Sequence, residues 1–283
     1  MRIFRKVVVV LFIISLVLFI GTGIWEDYTK DKTKPELYTD KVYLEMSVND
    51  PKEKLLEGLT AMDEKDGDLT DSIMVQSTSH FVKTGEVTVK YVVFDGDNNF
   101  AELSRKVKYT DYHGPEFILT QPLEFARNKN ISIQDYVQAM DVLDGDITSK
   151  VKISGTSVDL SVSGVYPITL EVTNSYGDRA IVETSVVVRD SASASRVLLR
   201  DYLVYMDKGS DFNPADYVET IISSSGEQLT VDNMNVYTSG VVVSTIHVNG
   251  EVDTNTPGCY QVEYSYQTSR SNGFAYLTVV VRE

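Results

Sequence analysis

Ala61-Met62-Asp63-Glu64-Lys65-Asp66-Gly67-Asp68-Leu69-Thr70 returns 78 residues later as Ala139-Met140-Asp141-Val142-Leu143-Asp144-Gly145-Asp146-Ile147-Thr148. A glycine between two aspartates supplies the positive backbone dihedral that a tight turn needs. The aspartate oxygens can take up backbone N–H groups, and the Leu or Ile and β-branched Thr that follow suit the start of a strand. The phrase therefore predicts a structural corner, written once per small domain. A chain of 283 residues has room for about three domains of that period.

Short runs rich in Val, Ile, Thr and Tyr surround the corners, and no long apolar stripe at helical period follows Leu37. Val87-Thr88-Val89-Lys90-Tyr91-Val92-Val93-Phe94 and Tyr166-Pro167-Ile168-Thr169-Leu170-Glu171-Val172 place apolar side chains on alternate positions, as half-buried strands require. Each run is entered through a glycine turn, at Gly85, Gly164 and, in a third copy, Gly258. Each leaves through a polar loop: Asp95-Gly96-Asp97-Asn98-Asn99, Asn174-Ser175-Tyr176-Gly177-Asp178 and Ser269-Arg270-Ser271-Asn272-Gly273. A closing strand ends each unit, at Val107, at Val186 to Val188 and at Val279 to Val281. The third unit keeps Asp216-Tyr217-Val218 as an echo of Asp135-Tyr136-Val137 but has Ser223 to Thr230 where the corner should stand, so it has diverged. Short strands joined by turns point to antiparallel β-sandwiches.

Ahead of these units, Met1–Lys6 is basic and Val7–Trp25 is apolar, long enough as a helix to span about 28 Å of bilayer. The positive flank predicts a cytoplasmic tail, residues 1–6, and a transmembrane signal anchor, residues 7–25, with Trp25 at the outer interface. A removable signal peptide is the rival, with Gly21-x-Gly23 as its small-residue site. Residues 26–36 read as a polar stalk. The expected domains are 37–110, 115–190 and 196–283, joined at Thr110–Pro115 and at Asp190–Ser195. The second joint is small and polar and predicts that few contacts cross it.

The formal charge is -15. Such a field repels nucleic acid and keeps an exported protein soluble. Cys259 is the only cysteine, which excludes an intrachain disulfide and any cysteine-based zinc cluster.

The pattern A-x-D-x-x-D-G-D-[IL]-T, the glycine-led strand some sixteen to twenty residues on, the polar exit and the closing valines resemble the immunoglobulin-like repeats of bacterial cell-surface proteins. These include the Ig-like domain of the Cry22Aa pesticidal crystal protein type and the related DUF5011-like domains. The resemblance covers Glu36–Asp190 closely and Arg196–Glu283 loosely. It implies an all-β chain of tandem immunoglobulin-like β-sandwiches behind one N-terminal transmembrane helix. It further implies a non-enzymatic stalk, adhesion module or substrate-binding accessory, with no shared catalytic residue. The chain is then a single-pass protein of the cell membrane with its C-terminal region extracellular. Its partners are the membrane, through the helix, and an extracellular protein or glycan. The alternative role is a ligand-binding or regulatory ectodomain of a cell-envelope machine.

Candidate sites are few. Asp66, Asp68, Asp144 and Asp146, together with Asp63 and Asp141, offer hard oxygens of the kind calcium takes, although no bidentate Glu follows at the usual distance. The competing reading is that these aspartates cap turns, with no metal and no other cofactor. His80, His113 and His247 fall in three different units, outside the repeated phrases, and do not form a catalytic group. Cys259 reads as a small strand residue. The tyrosines of the third unit, Tyr202, Tyr205, Tyr237, Tyr260, Tyr264, Tyr266 and Tyr276, read as core packing, with a binding face as the other option.

Overall fold

The computed structural model describes residues 2–119, 121–129, 131–155, 158–190, 195–268 and 272–283. The expected link at 191–194, the third exit at Ser269–Ser271 and the side chain of Trp25 lie outside the described residues. Residues 1–112 form one compact unit and residues 113–283 another.

The chain opens with a helix, α1 (Arg2–Thr29). Within it Phe4–Thr22 is long and apolar enough to cross a membrane, and none of it is buried against protein. The helix runs beyond Trp25, which leaves only residues 30–35 before the first strand. Pro35 lacks the N–H a helix would need there.

Seven strands follow in the first unit: β1 (Glu36–Thr39), β2 (Tyr43–Met46), β3 (Leu59–Asp63), β4 (Gly67–Asp68), β5 (Met74–Thr78), β6 (Glu86–Phe94) and β7 (Phe100–Tyr109). They make two sheets, ordered β1-β3-β4 and β2-β7-β6-β5. All pairs are antiparallel except β2 with β7. The alternation read from the sequence sets the buried face: Val87, Val89, Tyr91 and Val93 are fully buried, against Leu44, Leu59, Ala61 and Val107.

The second unit repeats this plan and extends it. Strands β8 (Glu116–Leu119), β9 (Glu124–Ala126), β10 (Val137–Asp141), β11 (Gly145–Asp146), β12 (Lys152–Gly155), β13 (Gly164–Thr173) and β14 (Arg179–Arg189) form sheets β8-β10-β11 and β9-β14-β13-β12. Strand for strand this is the order of β1–β7. The core holds Phe117, Val137, Ala139, Ile147, Leu170 and Val186.

The third set is built differently. Strands β15 (Arg196–Leu199), β16 (Leu203–Asp207), β17 (Val218–Ile222), β18 (Gln228–Asp232), β19 (Asn235–Thr238), β20 (Val241–Asn249), β21 (Gly258–Gln267) and β22 (Asn272–Arg282) form one ladder, β15-β17-β18-β19-β20-β21-β22-β16. Where the corner phrase is missing, Ser223 takes its place: its hydroxyl accepts the Glu227 N–H at 3.1 Å, its carbonyl accepts the Gly226 N–H at 2.9 Å, and Gly226 has φ +84°. The chain turns there directly into β18. The inserted β18 and β19 join what are two separate layers in the other modules.

Contrary to the expectation for the Asp190–Ser195 joint, β8–β14 and β15–β22 are tied by many contacts. The Thr184 and Thr278 hydroxyls meet at 2.9 Å in a buried position. The Phe117 N–H donates to Tyr205 Oη at 2.7 Å, and Arg282 pairs with Glu116 at 2.7 Å while lying over the Tyr205 ring. Arg189, 8% exposed, pairs with Glu124, donates to the Phe274 carbonyl and stacks 4.3 Å above the Phe274 ring. Composition of the link reports its own stiffness, not the surfaces on either side of it, which is why the sequence misled.

Candidate functional site

The two corners are built alike. β3 ends at Asp63, whose Oδ1 accepts the N–H of Lys65 and of Asp66, each at 2.9 Å. Gly67 then takes φ +74°, and Asp68 Oδ1 accepts the Thr70 N–H at 2.9 Å. The Thr70 hydroxyl accepts the Ala61 N–H at 3.1 Å and so returns the chain to β3. In the second module Asp141 Oδ1 accepts from Leu143 and Asp144, Asp146 from Thr148, and Thr148 Oγ1 from Ala139, at the same distances. Gly145 has φ +72°. Hydrogen bonds to the Thr70 and Thr148 hydroxyls, then to the backbone N–H of the same residues, hold the Asp68 and Asp146 carboxyls below their ordinary range.

The middle aspartate of each phrase reaches out of its corner. Asp66 Oδ2 accepts the Gly96 N–H at 2.7 Å. Asp144 accepts the Ser175 N–H at 2.7 Å and its hydroxyl at 2.6 Å, with Lys150 at 3.1 Å. Burial raises the Asp144 pKa, and the two Ser175 bonds with the Lys150 contact outweigh it, leaving a net lowering. Each of the four aspartates read as a calcium candidate thus accepts a backbone N–H.

The exit loops carry the difference. In the second module Asn174 Oδ1 accepts the N–H groups of Tyr176 and Asp178 at 3.0 and 2.8 Å, while its Nδ2 donates to Asp141 Oδ2 at 3.0 Å. In the first module Asp95 stands in that place, and its Oδ1 likewise accepts from Asp97 and Asn99, at 2.9 and 2.7 Å. A carboxylate has no N–H to offer. Asp63 Oδ2 is accordingly buried and without a hydrogen-bond partner among the described residues, on a side chain whose residue is only 7% exposed.

A third acid joins this pair from the chain behind α1. Asp31 donates its N–H to Asp97 Oδ2 at 3.0 Å, its carbonyl accepts from Asn99 Nδ2 at 3.0 Å, and its Oδ1 accepts the Thr33 N–H and hydroxyl. The Thr33 N–H, then its hydroxyl, lowers the Asp31 pKa. Oxygens of Asp31, Asp63 and Asp95 all lie within 4.8 Å of one another. The adjacent Lys65 ammonium pairs with Asp97. Sequence reasoning named Asp63 but missed Asp31 and Asp95; the signal was the Asp95-for-Asn174 exchange between aligned exits.

The remaining candidates stay apart. His80, His113 and His247 are exposed, and His113 pairs with Glu116 at 3.1 Å. Cys259 packs against the second module's core and its Sγ donates to the Glu183 carbonyl at 3.1 Å; burial raises the thiol pKa. Of the seven tyrosines, Tyr264 and Tyr266 are buried and the others half-buried. Burial pushes Tyr205 up to about 12. Tyr202, Tyr260, Tyr264 and Tyr266 pack in the core of the third set, and Tyr205 packs between the second and third modules.

Residues 133–188 match the family model of the bacterial surface protein Ig-like domain, a domain family without catalytic activity. The pesticidal crystal protein Cry22Aa of Bacillus thuringiensis is 32% identical over 162 residues, covering 55% of this chain and 22% of that protein. An uncharacterized 81.3 kDa protein of Acholeplasma phage L2 is 21% identical over 244 residues, 80% of this chain and 30% of its own length. The chain therefore spans less than a third of either curated relative. Among solved structures, the CBM51-2 and INT domains of Clostridium perfringens ZmpB in complex with GlcNAc align at 20% identity over 52% of this chain and 26% of that one, with a TM-score of 0.23, too slight a likeness to carry an argument. With its second corner and the Asn174 exit both inside the matched segment, the chain carries at residues 133–188 an Ig-like domain of the bacterial surface protein type.

Proposed function

We propose that this chain is a non-enzymatic bacterial cell-surface protein. Its helix holds it in the membrane, and its Ig-like modules, at 37–110, 115–190 and 196–283, form a structural or adhesive ectodomain that presents the last module to an extracellular protein or glycan. One observation carries the reading: an apolar helix with none of its span buried against protein precedes a domain of the bacterial surface protein type. The basic residues Arg2, Arg5 and Lys6 favour the cytoplasmic side for the N-terminus.

Protease added to intact cells lacking a thick wall should remove residues 36–283, and mass spectrometry of the mature protein should find an N-terminus ahead of Val7. Full protection from protease would refute surface exposure. An N-terminus near Ile24 would replace the anchor by a cleaved signal peptide. The same cells should adhere to glycan- or protein-coated surfaces better than cells deleted for the chain, and equal adherence would remove the adhesive role.

A further inference from the structure

We propose that Asp31, Asp63 and Asp95 hold a hard divalent cation of the calcium class, which clamps the segment behind α1 onto the first module. The proposal is independent of the adhesive reading.

Its basis is an exchange that the molecule makes on itself. At both corners the first aspartate spends Oδ1 on two backbone N–H groups and turns Oδ2 toward the exit loop. In the second module that oxygen meets the Asn174 amide. In the first module the amide is replaced by the Asp95 carboxylate, so that two buried acids, 7% and 6% exposed, face each other. Burying an unpaired carboxylate is costly, and placing a second beside it is worse. Asp31 then brings a third.

The hydrogen bonds fixing Asp31 make this convergence a built one. Asp97 takes its N–H and Asn99 gives to its carbonyl, so the exit loop grips the Asp31 backbone, and a carboxylate oxygen of Asp31 lies within 4.8 Å of oxygens of Asp63 and Asp95. Asn99 Nδ2 also donates to Asp95 Oδ2, at 2.7 Å, and orients that ligand. Of the nearby cations, the Lys65 ammonium pairs with Asp97 and also acts on Asp31, while Lys30 acts on Asp97. Asp63 Oδ2 is buried and without a hydrogen-bond partner among the described residues, and Asp63 offers an oxygen within 4.8 Å of those of Asp31 and Asp95.

The donor set selects the ion. All three ligands are carboxylate oxygens, which suit calcium, magnesium or manganese and not a thiophilic metal. Two oxygens held by one calcium at about 2.4 Å lie at most about 4.8 Å apart, whereas magnesium at about 2.1 Å draws them within about 4.2 Å. Oxygens that all lie within 4.8 Å of one another can therefore share a single calcium. Because Asp31 lies outside the strands and the other two lie at their ends, the ion would cross-link residues 32 and 64 positions apart in sequence.

The test uses the full chain in detergent micelles, stripped with chelator and titrated with calcium chloride alone. Calorimetry should find one site, and the melting temperature of the first unit should rise by roughly 5 °C or more at calcium well above its dissociation constant. Trypsin cleavage after Lys30 and Lys32 should slow by about tenfold, as local opening of the clamped segment is suppressed. Asp31→Asn and Asp95→Asn should each abolish the calcium shift and the protection. Asp95→Asn should nevertheless melt higher than the native chain in chelator, because it restores the amide that Asn174 supplies; this variant separates loss of the site from loss of the fold. Magnesium at equal concentration should give a smaller shift. No calcium response in the native chain would overturn the proposal. A response that survives Asp95→Asn but disappears in Asp144→Asn with Asp146→Asn would overturn it equally, by placing the ion at the second corner.

Discussion

The first and second modules share strand order, sheet pairing and the corner phrase, and they part at one side-chain nitrogen. Asn174 closes the second corner with a hydrogen bond inside the protein; Asp95 leaves the first corner open and acidic. The backbone barely registers the difference, since both side chains use Oδ1 to cap the same two N–H groups of the exit loop. What changes is the balance of charge around a buried oxygen. A scaffold can thus be copied intact while a single isosteric exchange turns a structural knot into a ligand-seeking one. The modules also differ at the end of their last strand. Lys108 and Val187 both pair with the residue after the entry glycine, so Arg189 corresponds to Thr110. Thr110 stays within its own module, 3.5 Å from the Met46 carbonyl, whereas Arg189 reaches Phe274 of the next.

The largest expected effect lies at that strand end. Arg189→Ala should destabilise the unit 113–283 by about 3 to 5 kcal/mol, because Glu124 loses its buried partner and Phe274 its cation. Denaturant unfolding of the full chain measures it. Thr110→Ala at the corresponding place should cost well under 1 kcal/mol, given so long a bond. Equal costs would mean that the second and third modules are not held together by Arg189.

Copying the acidic corner into the second module comes next. Asn174→Asp should cost about 2 to 4 kcal/mol at neutral pH in chelator, since it removes the donor to Asp141 Oδ2 and faces two buried carboxylates. Calcium should not rescue it, because Asp111, which stands five residues before β8 as Asp31 stands before β1, is held instead by Ser47 Oγ and the Val48 N–H. Rescue by calcium would show that two acids suffice and that Asp31 is dispensable.

The smallest effect is shared by both corners. The folded-state values of Asp68 and Asp146 lie below the ordinary 3.8 through their Thr hydroxyl and backbone bonds. A lowered folded pKa means that the unfolded chain takes up protons first as pH falls. The stability these groups contribute is therefore fully present above pH 3.8 and is lost as pH drops through their folded values. Melts from pH 7 downward should show the two corners weakening together, only below that point. Thr70→Val and Thr148→Val should each flatten the acid limb of their own unit. A loss beginning at pH 5 to 6, or in one unit alone, would break the equivalence of the corners.

Much of this molecule is legible without coordinates, and the legible parts share a property: they are local. Val87, Val89, Tyr91 and Val93 alternate in the chain and therefore share a buried face, and Asp63, Gly67, Asp68 and Thr70 lie close enough in sequence to cap one another. The unbroken apolar run of Phe4–Thr22 states its own length against a bilayer. Even the divergence of the third module shows as Ser223–Thr230 in place of a corner, although only the structure reveals that β18 and β19 convert two sheets into one. What the fold alone decided is which distant groups meet. Asp31, Asp63 and Asp95 converge because a loop and a strand end happen to bracket the chain entering β1. Arg189 finds Phe274, and Cys259 the Glu183 carbonyl, because two β surfaces pack across a link whose composition suggested no contact. Side-chain periodicity follows from covalent geometry and is written in the sequence; the potential at a buried oxygen is a sum over neighbours in space, and it exists only once the chain has folded.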